Sequence, residues 1–120
     1  MNELLTVVLI AVGGGIGAAL RFTVDQSIPA RVRERFPWGT VAVNLTGSFA
    51  LGLVAGAALS DPLGAALGTG VLGGYTTFST ASLNSIRLLH AKRWLAALVA
   101  GPGMLLACTA LAVAGLLLTR

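Results

Sequence analysis

Gly68-Thr-Gly-Val-Leu-Gly-Gly-Tyr-Thr-Thr-Phe-Ser-Thr-Ala-Ser82 is the stretch on which the fold turns. It lies inside an apolar tract of membrane-spanning length, about Leu63 to Leu89, yet it makes a poor continuous helix. Glycine loses the most backbone freedom on entering a helix and β-branched threonine loses side-chain rotamers. Gly73-Gly74 followed by Thr76-Thr77 therefore predicts an interruption. A break at membrane depth frees backbone carbonyls and N–H groups, which survive only inside protein or beside water. Freed carbonyls suit a hard cation, and the N-terminus of a half-helix suits an anion. Thr77, Ser79, Thr80 and Ser82 add hydroxyl donors for an anion losing its hydration shell, and the edge of the Phe78 ring is weakly positive. Periodicity alone is equally compatible with a kinked structural helix.

The tracts on either side make this a membrane protein. The chain has 120 residues, 56% apolar and only 10% charged, where a soluble domain carries about 25% Asp, Glu, Lys and Arg. A span needs about 20 mostly apolar residues, and four tracts reach that length: about 4–24, 39–59, 63–89 and 94–118. They are expected to form one all-α transmembrane domain covering residues 1–120. The first tract begins with Glu3 and no basic residue, unlike a cleaved signal peptide. A polar linker, Asp25 to Trp38, separates the first two tracts, and Ser60-Asp61-Pro62 reads as a compact turn. Trp38 and Trp94 stand at tract boundaries, as interfacial aromatics do. Gly13/Gly17, Gly52/Gly56, Gly64/Gly68 and Gly70/Gly74 each lie four apart, a spacing that lets helices approach closely. No collagen period, disulfide framework or multi-cysteine metal site is possible, because the glycines are aperiodic and Cys108 is the one cysteine.

The sequence pI near 10.7 does not point to nucleic acid, since the basic residues fall between apolar tracts and report topology. Arg31, Arg33, Arg35, Lys92 and Arg93 lie in loops on one side, with Arg21 and Arg87 at nearby helix ends. The other side holds Arg120 alone. The positive-inside rule then places both termini outside and the two basic loops in the cytoplasm. Glu3, Asp25, Glu34 and Asp61 are expected in loops or at ends. A proton-driven drug exporter needs an ionisable group at membrane depth, so that class is disfavoured. His90 lies in a loop and forms no nucleophile–base pair, so no enzyme is expected. Arg21, near the end of the first tract, is either a snorkelling side chain or part of an electropositive vestibule for anions. Asn44, inside the second tract, must find partners for a buried amide. Thr40, Thr46 and Ser48 either extend a polar track or bond between helices.

Gly13-Gly-Gly-Ile-Gly-Ala-Ala-Leu-Arg21-Phe, Gly39-Thr…Asn44…Gly47-Ser-Phe and Gly73-Gly-Tyr-Thr-Thr-Phe-Ser-Thr80 together resemble the Fluc (CrcB) fluoride channels of bacteria, over all four tracts in order and spacing. The resemblance implies a passive fluoride channel of the bacterial inner membrane, through which cytoplasmic fluoride leaves down its electrochemical gradient. It implies an antiparallel dimer of four-helix subunits, the third helix broken at its centre, with two narrow pores. It also implies a structural sodium ion, not transported, held by the backbone carbonyls of Gly73 and Thr76. Carried over by motif, the pore residues are Arg21, Asn44, Phe78, Ser79 and Thr80.

Two positions depart from the family pattern. Ala81 stands where a second pore phenylalanine belongs, and the fourth tract offers only Cys108 and Thr109 in place of a polar pore residue. A chain that inserts both ways needs nearly balanced Lys and Arg, whereas this one is strongly biased. The expected assembly is therefore a pair: this chain in one orientation, a homologous chain in the other, with a self-dimer as the alternative. The sequence also leaves open a half-pore or non-conducting subunit of such a pair.

Overall fold

The computed structural model describes residues 2–60 and 62–120. Asp61, at the centre of the expected turn after the second tract, lies outside the described residues. Every regular element among them is helical. Among the described residues three helices are long and apolar enough to cross a membrane, Glu3–Ser27, Trp38–Ala57 and Trp94–Thr119.

Helix α1 (Glu3–Ser27) opens with the Asn2 side chain accepting the Leu4 N–H at 2.8 Å, and Glu3 favours the positive end of the helix dipole. It ends where Ile28 turns extended ahead of Pro29. The linker expected from Asp25 to Trp38 is thus mostly helical. It contains the last turn of α1 and a short helix, α2 (Ala30–Arg35). Polarity had suggested a loop, but Pro29 is the first residue that actually stops the first helix. Helix α3 (Trp38–Ala57) follows Pro37 and closes on Ala58 in the left-handed region, φ 50°.

The third tract is not one helix. It runs as α4 (Leu63–Ala65), a wide π turn over Ala66–Leu72 and α5 (Gly73–Tyr75), and it resumes as α6 (Ser79–His90). Between α5 and α6 the backbone leaves the helix, with Thr76 extended at ψ 159°. Lys92, just after α6, has φ 59°, a conformation that costs a side-chain-bearing residue about 1–2 kcal/mol. The last tract comprises α7 (Trp94–Leu98), a π turn over Val99–Gly103 and α8 (Met104–Thr119). Pro102 sits inside that turn and lacks the N–H for a regular i→i−4 bond, which accounts for the local widening.

Glycine sets the packing. A Cβ on Gly17 would strike the carbonyl oxygen of Val71 and come within 2.8 Å of the Tyr75 nitrogen, so α1 lies directly against the segment leading into the break. Gly13, Gly70 and Gly74 line the same contact, while Gly52 and Gly56 meet Ala112 and Leu116 of α8. The pair Gly64/Gly68 is different: Gly64 meets only the nearby Leu59, and Gly68 has no neighbour closer than 3.9 Å. That spacing is not a helix contact here. A second cluster, Leu88, Ala97 and Ala100 with Phe36, ties α6 to the start of the last tract.

Candidate ion path at the helix break

The break is held from outside itself. Asn44 of α3 is 7% exposed, and its amide pairs with both backbone polar groups of one residue in the interrupted segment, Thr77. Nδ2 donates to the Thr77 carbonyl at 2.7 Å, and Oδ1 accepts the Thr77 N–H at 2.8 Å. A side-chain amide presents a donor and an acceptor side by side, which matches the N–H and C=O of one residue that has left its helix. A longer contact of 3.8 Å runs from Nδ2 to the Met104 sulfur.

This clasp has a consequence for two carbonyls. In a continuous α-helix the Gly73 carbonyl would accept the Thr77 N–H, and the Thr76 carbonyl would accept the Thr80 N–H. The first of these N–H groups goes to Asn44 Oδ1, and the second goes to Thr77 Oγ1 at 3.3 Å. The Gly73 and Thr76 carbonyls are thereby relieved of their helical donors, as backbone ligands for a hard cation must be. No cluster of His, Cys, Asp or Glu with metal-binding potential occurs among the described residues, so such a cation would be held by oxygen dipoles.

Beside the break opens a cavity of about 350 Å³ lined by Arg21, Asp25, Thr40, Thr77 and Thr80 together with Ala18, Phe22, Gly39 and Val43. The fold brings Arg21 and Thr80 to one space, whereas Asn44 stands behind Thr77. Ser79 is exposed, and Phe78 is 81% exposed, projecting from the surface of the single chain. Asp25, expected in a loop or at an end, lies in the last turn of α1 and faces this cavity. Its Oδ2 is 3.4 Å from Arg33 Nη1, a partly exposed pair at the end of the helix.

The hydroxyls expected as a polar track divide. Thr40 Oγ1 accepts from the Asn84 side chain at 3.2 Å, while Thr46 turns back to the Ala42 carbonyl at 2.7 Å and meets the Tyr75 hydroxyl at 2.9 Å. Thr109 bonds to the Leu105 carbonyl of its own helix. Asn84 and Met104 belong to the site's surroundings but escaped the sequence analysis. Asn84 carried a signal, an amide in an apolar tract, whereas Met104 is one apolar residue among many.

The sequence profile of the family described as "CrcB-like protein, Camphor Resistance (CrcB)" matches residues 8–116. The chain belongs to the CrcB-like family. It is 47% identical over 116 residues to the "Fluoride-specific ion channel FluC 1" of Leifsonia xyli subsp. xyli, covering 93% of this chain and 83% of that one. It is 47% identical over 85 residues to the "Fluoride-specific ion channel FluC 2" of Mycobacterium tuberculosis (strain ATCC 25618 / H37Rv), covering 71% and 68%. To the "Fluoride-specific ion channel FluC" of Alteromonas mediterranea it is 45% identical over 93 residues, 73% of each chain. The region matched to the CrcB-like profile runs from within α1 into α8 and so includes the break, the Asn44 clasp and the Arg21 cavity.

Proposed function

We propose that this CrcB-like chain is a passive, fluoride-selective channel subunit that lets cytoplasmic fluoride leave a bacterium through its inner membrane. The observation that carries the proposal is the helix interruption at Thr76–Phe78 beside the Arg21 cavity. There an arginine and the threonines Thr77 and Thr80 line a space whose one carboxylate, Asp25, lies in the last turn of α1 and pairs with Arg33, while Phe78 projects from the same break. Arg21 concentrates anions at the mouth. The hydroxyls replace water on an ion as it enters, Asn44 keeps the break open, and the Phe78 ring edge contributes weakly positive C–H groups. The one carboxylate on this cavity, Asp25, sits at the helix end and not at mid-span, so in this reading flux follows the fluoride gradient alone. The names of the relatives support fluoride as the permeant ion.

In this reading the segment Leu63–His90 is the third of four spans, broken near its middle, and both termini face outward. The carbonyls of Gly73 and Thr76 hold a structural sodium ion. When bound there, sodium would supply a fixed positive charge beside the break.

The charge bias favours an asymmetric pair. Seven of the eight Lys and Arg residues belong to one side, which supports a single orientation. A homologous chain of opposite orientation would complete the dimer and supply the ring that Ala81 lacks. The test is fluoride-electrode efflux from liposomes containing this chain alone, the homologous partner alone, or both, with chloride as competitor. Fluoride efflux independent of a proton gradient is expected with both chains. Robust efflux from this chain alone would sink the asymmetric pair, and equal chloride flux would sink fluoride selectivity.

A further inference from the structure

The end of the molecule that carries Arg35, Lys92 and Arg93 also carries an open groove of about 590 Å³ between the start of α3 and the start of α7. Its walls include Trp38, Val41, Trp94, Leu95 and Val99, and Arg93 lines it as well. Trp38, Trp94 and Leu95 are each more than half exposed. The Arg93 guanidinium Nη1 donates to the main-chain carbonyl of Arg35, clasping the two basic residues beside the groove.

Lys92 gives an independent indication. α6 ends in a Schellman turn, with the Lys92 N–H on the Leu89 carbonyl at 3.0 Å and the Arg93 N–H on the Leu88 carbonyl at 2.9 Å. The left-handed position of such a turn suits glycine, yet a lysine with φ 59° occupies it. Backbone strain of this kind is retained where the side chain is useful. Here the lysine directly precedes Arg93, which lines the apolar groove.

We propose that this groove is a binding site for one anionic phospholipid. An acyl chain lies along Trp38, Val41 and Val99, while the phosphodiester meets Lys92, Arg93 and Arg35. Charge complementarity selects this occupant. A second copy of the chain brings only four carboxylates against eight basic residues, so its net charge has the same sign as these cations. Basic pockets between spans recognise lipid phosphate in this way, and aromatic rings at the headgroup level support it. The site does not depend on the fluoride reading.

The test is native mass spectrometry of the purified full-length assembly with phosphatidylglycerol, phosphatidylcholine or glycerol 1-phosphate. Retained adducts are expected with phosphatidylglycerol in excess over phosphatidylcholine, and none with glycerol 1-phosphate. Lys92→Gly relieves the backbone strain, so it is expected to raise the thermal midpoint in phosphatidylcholine. The same variant is expected to lower phosphatidylglycerol retention about fivefold, the effect of one basic residue near an anionic surface. Equal retention of both lipids, displacement of phosphatidylglycerol by glycerol 1-phosphate, or an unchanged lipid preference in Lys92→Gly would each overturn the proposal.

Discussion

Removing the Asn44 amide is the most informative single change. Asn44→Ala strips both partners from the Thr77 peptide, leaving one N–H and one carbonyl unpaired beside a buried position. Each orphaned group costs about 1–3 kcal/mol, or roughly 2–6 kcal/mol together. The Thr77 N–H has one local remedy: it can turn back to the Gly73 carbonyl, its regular acceptor in a continuous helix. That bond has a net worth of about 1 kcal/mol, and the sodium ion proposed above would then have to compete with it. The sodium concentration giving half-maximal thermal stabilisation should therefore rise about fivefold, the factor equivalent to 1 kcal/mol. Asn44→Asp keeps an acceptor for the Thr77 N–H but loses the donor and adds a buried charge. It should lose stability while shifting the sodium requirement less. The assay is the thermal midpoint of purified protein over a sodium series, with fluoride efflux measured in parallel. Thr109→Ala, which touches only its own helix, serves as the control. If Asn44→Ala abolishes flux with both the midpoint and the sodium dependence unchanged, the amide acts on the ion alone and the clasp has no mechanical role.

The glycines of α1 give a paired prediction. Gly17→Ala drives a methyl group into the Val71 carbonyl and the Tyr75 nitrogen, and should cost about 1–3 kcal/mol or more. Gly15→Ala meets nothing within 4 Å and should be neutral or gain up to about 1 kcal/mol; thermal midpoints distinguish the two. At the cavity mouth, Arg21→Gln should lower fluoride flux about tenfold at low ionic strength, the lower range of electrostatic focusing. The deficit should shrink at high salt. Asp25→Asn should leave flux at or above its starting value and cost at most about 1 kcal/mol of stability, because its pair with Arg33 is partly exposed. Reporter fusions at the two termini should both read outside in every molecule; an even mixture of orientations would remove the charge argument for an asymmetric pair.

The break was legible because it is written in local propensity. Gly73-Gly74 and Thr76-Thr77 have low helix propensity; the two glycines still form a helical turn, and the backbone departs from the helix at Thr76. The long apolar helices were legible from length and composition, with ends within a few residues of the expected ones. What holds the break was not legible. Asn44 and Thr77 lie thirty-three positions apart, and nothing in local pattern selects that peptide over any other partner for a buried amide. The π turns at Ala66–Leu72 and Val99–Gly103 were also hidden, although Pro102 offered a clue to the second. Polarity misled at Asp25, because a charged residue can continue a helix until a proline stops it.

The distribution of burial argues for a second subunit on grounds independent of topology signals. Val43 is the one large side chain fully buried among the described residues, while Phe78 is 81% exposed. Leu4, Phe22, Trp94, Leu95, Leu106 and Leu118 are also more than 60% exposed, which a bilayer satisfies with its acyl chains. A bilayer cannot satisfy what accompanies Phe78. Ser79 and Thr80 are exposed on the same segment, and the Gly73 and Thr76 carbonyls have lost their helical donors. Irregular backbone and clustered hydroxyls at membrane depth require protein or water around them. A single chain gives these groups one wall, formed by Asn44, Arg21 and Thr40. Water or the second subunit proposed above would complete the enclosure. In an antiparallel pair that enclosure places the partner's own break opposite this one, and a cation bound between two such breaks would tie folding of the dimer to formation of the ion path.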